Sequence, residues 1–168
     1  ATEDKRDKTV LDLIETAGRK DLFPVGRLDK DTEGLLLLTN DGDLAHRLLS
    51  PKKEVDKVYY ARINGRVTDE DVATFLSGIS IGEDKPCLPA RLEIIKSGEV
   101  SEINLTIYEG KYHQVKRMFE AVGKEVIYLK RMSMGGLFLD SLLKPGEYRR
   151  LSIDEVNHLN NITLRKKE

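Results

Sequence analysis

Apolar positions along this chain come in short bursts whose spacing switches between helical and extended several times. Val10, Leu11, Leu13 and Ile14 fall at helical spacing within Thr9–Ala17, a segment that closes near Gly18. Phe23 to Asp29 is a brief apolar stretch running into charge. The run from Gly34 through four leucines to Thr39 is too short for a helix. It is bounded by glycine and by the Asn40-Asp41-Gly42 turn signal, so it predicts one buried strand. Leu44, Ala45, Leu48 and Leu49 mark a short helix that stops before Pro51.

Lys57–Ile63 predicts a strand with Tyr59 and Tyr60 on opposite faces. Thr68 to Asp71 is laid out as a capping box, with Asp in place of the usual Glu or Gln, and opens a helix that Gly78 closes. Leu92–Ile95 and Ile103–Tyr108 predict two strands joined through Ser97-Gly98. In the second, Ile103, Leu105 and Ile107 alternate with polar neighbours, which gives it one wetter face. Lys111–Val122 predicts the best helix, with Val115, Met118, Phe119 and Val122 along one face and Gly123 at its end. Val126–Leu129 predicts another strand, and Ser152 to Glu155 a capping box for a last short helix. Elements interleave irregularly and several strands are joined by hairpin-length turns. The expected class is therefore α+β with a largely antiparallel sheet.

Composition narrows the classes. The 168 residues are 39% apolar and 34% charged, which suits one compact domain with a core. The longest apolar block is the four leucines, far short of the ~20 residues of a membrane helix. The opening ATEDKRDKTV lacks the apolar stretch of a secretory signal. A lone Cys87 can form neither an internal disulfide nor a thiolate metal cage, so a reducing cytoplasm is expected. His46, His113 and His158 show no metal-ligand spacing and read as surface residues. Net charge is −1, yet basic residues gather in Arg47–Lys57, Lys111–Arg117, Lys130–Arg131 and Lys144–Arg150. A basic face for nucleic acid requires those four clusters to converge.

The segment from Gly26 to Gly42 carries the most chemistry. It reads as a polar loop that brings a carboxylate, Asp29, beside a buried strand. A carboxylate there is partly desolvated, and a nearby cation would keep it ionised and nucleophilic. The plainer reading is a charged surface turn. A third reading is calcium binding, because Asp29, Asp31, Glu33 and Gly34 match the first, third, fifth and sixth positions of an EF-hand loop. That match fails at the closing position, where Asn40 supplies no bidentate carboxylate, and the loop interior is apolar.

GRLDKDTEGLLLLTNDG closely resembles the G-R-L-D-x-x-T-x-G-L-L-L-x-T-x-D-G motif of the RsuA/RluB/E/F-type RNA pseudouridine synthases. The resemblance continues in Lys57-Val-Tyr59, which matches the family's K-x-Y motif, and in Glu109 to Phe119, which matches E-G-[KR]-x-x-Q-[VI]-[KR]-R-M-F. It implies a pseudouridine synthase fold, a mixed and mostly antiparallel sheet flanked by helices. It implies that Asp29 is the nucleophile, that Tyr59 packs on the target base, and that Arg27 helps hold the nucleotide out of its stack. A basic side chain pairs with the nucleophile in this family; the role falls on Lys116, with Arg117 the runner-up. His113, Lys116 and Arg117 would share one helix face, and His113, Gln114, Arg117 and Arg131 are expected to contact RNA.

Wording such as GKYHQVKRMF resembles the branch that modifies small-subunit (16S) rRNA, whereas large-subunit members tend to carry N-R-Q-[VI]-R-R there. The implied partner is ribosomal RNA, 16S rRNA in an assembling small subunit, with a monomeric enzyme and no membrane. Uridine isomerisation transfers no group and changes no oxidation state, so no cofactor and no metal is expected. Attack of Asp29 on the base at C6 or on the sugar at C1′ stays open. Family members usually begin with an S4-type RNA-binding domain, and their catalytic domain opens with a strand holding a Lys-Pro motif. Neither is present, so residues 1–168 are expected to be a catalytic domain without those parts. The alternatives are action on 23S rRNA and a non-catalytic rRNA-binding module of the same fold.

Overall fold

The structure, a computed structural model, describes residues 21–164. The helix expected over Thr9–Ala17 lies outside them. A mixed sheet forms the frame, with strand order β2-β7-β4-β6-β5 and β8 on the outer side of β7. Its strands are β2 (Glu33–Gly34), β4 (Lys57–Asn64), β5 (Arg91–Lys96), β6 (Val100–Ile107), β7 (Glu125–Met134) and β8 (Leu137–Phe138). Only β2 runs parallel to its neighbour; β4, β5, β6, β7 and β8 pair antiparallel. A separate ribbon joins β1 (Phe23–Pro24) to β3 (Leu38–Thr39). The helices are α1 (Gly42–Leu49), α2 (Asp69–Ser77), α3 (Gln114–Ala121) and α4 (Ile153–Leu164). The α+β expectation holds.

Two apolar clusters result. In the first, Ala61, Ile63, Leu92, Ile103, Leu105 and Leu129 cover one sheet face and meet Phe75 of α2 and Val115, Met118 and Phe119 of α3. The Phe75 and Phe119 rings meet edge to face at 5.0 Å. The second packs Leu44, Ala45 and Leu48 of α1 and Leu159 of α4 against Val25, Leu37, Val55, Met134 and Leu137. Asp41 caps α1 by accepting from the Leu44 amide at 3.1 Å. Ser152 and Glu155 close the expected capping box at the start of α4, with bonds of 3.1 and 2.8 Å. That helix is longer than expected, at 12 residues.

The leucine run is not the single strand its pattern predicts. β2 ends at Gly34 and β3 begins at Leu38, and the two belong to different sheets. Hydrogen bonding explains the break. Leu35 donates its amide to the Arg131 carbonyl and accepts from Arg131 Nε, both at 2.8 Å, while the Leu37 carbonyl accepts from Val25 at 2.8 Å. The chain therefore leaves one sheet and enters the other within three leucines, and Leu37 drops into the second core. Gly34 makes this passage possible. Its φ is +111°, and a Cβ there would lie 2.2 Å from the Arg131 carbonyl oxygen.

Candidate active site

Asp29 sits in the turn between β1 and β2, closed by the Thr32 amide donating to the Asp29 carbonyl at 2.9 Å. The turn is tethered at once to the sheet, because Glu33 and Gly34 pair with Lys130 and Arg131 of β7. On the far side of β7, Arg131 pairs with Tyr59 of β4, next to a register shift between Val58 and Tyr59. Gly34, Arg131 and Tyr59 thus form a line across three strands, about two strand spacings or ~10 Å from end to end. The bulge locally re-aims the backbone beside Tyr59.

The Asp29 carboxylate faces the start of α3. His113 Nε2 lies 3.4 Å from Oδ1 and Lys116 Nζ lies 3.7 Å from Oδ2. Lys116 also donates to Asp31 Oδ1 at 2.7 Å. The hydrogen bond from Lys116 holds the Asp31 carboxyl below its ordinary range, and the same bond raises the Lys116 ammonium above its own. The calcium reading does not survive this geometry: Asp31 goes to Lys116, and Glu33 accepts from the Tyr128 hydroxyl at 2.9 Å. Among the described residues no group of three His, Cys, Asp or Glu side chains could hold a metal ion.

Helix α3 is shorter at its start than its pattern predicts. It begins at Gln114, and His113 precedes it in the left-handed region with φ +47°. Gln114 is buried. Its Oε1 accepts from the Lys111 amide at 3.0 Å and its Nε2 donates to Glu109 at 3.1 Å. Those bonds fold residues 111–113 into a loop in place of a first helical turn. Arg117 does not share the Lys116 direction. It donates to Glu83 at 2.7 Å, to the Ile81 carbonyl at 2.8 Å and to the Tyr112 carbonyl at 3.0 Å. Glu83 also meets Lys111 at 3.4 Å, so this basic cluster is largely neutralised within the protein. Arg117, Lys111 and Lys116 therefore present less free charge than the sequence suggests.

Arg27 is exposed, two positions before Asp29. Tyr59 is partly buried against the first core, and Tyr60 occupies the opposite face, where its hydroxyl bonds Glu102. Arg131 is only 2% exposed and leaves Nη2 with no hydrogen-bond partner; Thr32 Oγ1 is likewise buried and unpartnered. Lys57 is buried beside Val55, whose carbonyl it reaches at 3.3 Å. Burial first, and then the Arg131 charge, lowers the Lys57 ammonium from its usual value. His158 is exposed, as expected, and its Nε2 meets the Gly135 carbonyl at 2.8 Å, bracing the β7–β8 turn. Two neighbours escaped the sequence reading. Asp31 competes for Lys116, and Tyr112 stacks on His113 with ring centroids 3.8 Å apart. An aromatic residue in an otherwise polar loop was the available signal for the second.

Comparison with known proteins places the chain in a class of isomerases that act on RNA. It belongs to the RNA pseudouridylate synthase family, whose pattern matches residues 1–121. It is 53% identical over 162 residues to the uncharacterized RNA pseudouridine synthase YtzG of Bacillus subtilis, which covers 95% of this chain and 68% of that one. It is 46% identical over 155 residues to the ribosomal small subunit pseudouridine synthase A of Vibrio cholerae, covering 92% of this chain and 66% of that one. A crystal structure of a pseudouridylate synthase matches with a TM-score of 0.83 at 43% identity, over 90% of this chain and 65% of the other. The chain thus spans about two thirds of the length of these relatives.

Proposed function

We propose that this chain isomerises a uridine of small-subunit (16S) rRNA to pseudouridine, in a cytoplasmic setting, with Asp29 as the nucleophile. The observation that carries the reading is the Asp29 carboxylate, held in a sheet-tethered turn with His113 at 3.4 Å and Lys116 at 3.7 Å. The 46% identity to a ribosomal small subunit pseudouridine synthase A supports the choice of RNA.

The reaction breaks N1–C1′ and forms C5–C1′; the C5 proton leaves and N1 takes one up. The atoms balance without oxidant, reductant or cofactor. The uridine must first leave its stack. Tyr59 packs on the base, and the exposed Arg27 guanidinium contacts the distorted backbone. Asp29 then attacks C6 of the base or C1′ of the sugar, with the Lys116 ammonium 3.7 Å from its carboxylate. Gln114 and Arg117 serve RNA indirectly, by fixing the loop that carries His113. Arg131 stands behind the site with Nη2 buried and unpartnered, and serves RNA indirectly, by holding Leu35 and with it the Asp29 turn.

The test is release of tritium from rRNA labelled at uridine C5. Small-subunit rRNA is expected to release label and large-subunit rRNA to stay silent. Release from large-subunit rRNA alone would reassign the substrate.

A further inference from the structure

Tyr112 is 74% exposed, yet it is not a loose side chain. Its ring lies on the His113 imidazole with centroids 3.8 Å apart and planes 17° from parallel. His113 holds a left-handed backbone with φ +47°, one of two non-glycine residues to do so among those described. That conformation is maintained from behind. Gln114 accepts from the Lys111 amide at 3.0 Å and donates its own amide to the Lys111 carbonyl at 3.1 Å. Arg117 grips the Tyr112 carbonyl at 3.0 Å while it is anchored on Glu83 and Ile81. Each of these bonds fixes backbone; none occupies the Tyr112 ring. The result is a rigid aromatic stack with one open face, whose inner member, His113, touches the Asp29 carboxylate at 3.4 Å.

Water is a poor neighbour for a fixed aromatic face, and a nucleobase is a good one. Every base has a π-face, so aromatic stacking holds single-stranded RNA with little sequence preference. A uridine that swings out to Asp29 uncovers the face of its neighbour in the strand. We propose that the Tyr112–His113 stack is a nucleobase platform, and that the open face of Tyr112 takes a base next to the uridine at Asp29. The proposal rests on the reading above that RNA occupies this site.

The probe is a short oligouridylate and the same oligomer with abasic positions, which keeps the phosphates and removes the bases. Tyr112→Ala should weaken oligouridylate binding by roughly five- to 150-fold, the range for one lost base–aromatic stack. Tyr112→Phe should bind like the parent, and the abasic oligomer should not distinguish parent from Tyr112→Ala. The chain has no tryptophan, so Tyr112→Trp installs a single reporter. Its emission should be quenched by oligouridylate and not by the abasic oligomer. Equal binding by parent and Tyr112→Ala, or Trp emission indifferent to saturating oligouridylate, overturns the platform; so does a parent that binds neither oligomer. A parent that shows the expected binding pattern but releases no tritium from rRNA would leave the platform standing and remove the catalytic reading instead.

Discussion

Lys116 stands between two carboxylates and is closer to the outer one: Nζ is 2.7 Å from Asp31 and 3.7 Å from Asp29. The resting enzyme therefore keeps its cation shared, and two substitutions separate the partners. Lys116→Met should cut turnover about ten- to 100-fold, as expected for losing a charge-assisted contact at the reacting carboxylate. Its effect on folding should stay below about 1 kcal/mol, because the pair is partly solvated. Asp31→Asn should leave turnover nearly intact and tighten RNA binding, since it removes one negative charge and frees Lys116 for Asp29. Steady-state kinetics at two salt concentrations read both, and an unchanged rate for Lys116→Met contradicts the shared-cation account.

Gly34→Ala tests the tether of the Asp29 turn. The new Cβ would meet the Arg131 backbone at 2.2 Å in a conformation with φ +111°. Either β2 separates from β7 or the protein carries the strain. Urea denaturation should show a loss of about 3 kcal/mol or more, in the class of severe backbone conflicts. A stability equal to the parent would mean that the turn is not held by this contact.

Arg131 should serve both the frame and the site. Its Nη2 is buried with no partner, but its Nε holds the Leu35 carbonyl, so a methionine of similar length should cost about 1–3 kcal/mol of stability. Activity on rRNA should fall more than about tenfold in protein that remains folded, because the turn carrying Asp29 loses its Arg131 support. Thermal melting and tritium release on the same Arg131→Met preparation separate the two effects. Full activity would make Arg131 a purely structural cation.

The base of α4 offers a pH prediction away from the site. Arg149 donates two hydrogen bonds to Glu155, at 2.8 and 2.9 Å, and the Ser152 amide adds another at 2.8 Å. These hold the Glu155 carboxyl at about 2, below its ordinary 4.5. A depressed carboxyl contributes stability that is fully present above the ordinary value and is lost only as pH falls through the lowered one. A carbon-detected NMR titration should find the Glu155 midpoint near 2, and Arg149→Gln should move it up toward 4.5. A midpoint already at the ordinary value would show the cluster to be solvent-broken.

Much of the frame was readable from spacing, and the failures share a cause. Strand β6 and helices α1 and α2 follow directly from alternation, capping residues and terminal glycine or proline. The leucine run misled because period cannot show that Leu35 bonds Arg131 while Leu37 bonds Val25, residues distant in sequence. The start of α3 misled for a similar reason: the Gln114 side chain replaces a helical hydrogen bond at Lys111, an exchange that composition does not announce. At the site, motif order set Lys116 beside Asp29, and the fold holds the two 3.7 Å apart. The motifs gave no warning that Asp31 takes the shorter bond, or that Glu83 draws Arg117 and Lys111 away. Long-range ion pairing depends on the finished fold, so charge counts along the chain overstate the free basic surface.

The central claim is that Asp29 is the nucleophile, and the most direct measurement compares parent and Asp29→Asn for tritium release from C5-labelled small-subunit rRNA, with melting curves on both. The account predicts release by the parent, none by Asp29→Asn, and nearly equal melting temperatures. Release by a folded Asp29→Asn protein at the parent's rate would contradict it.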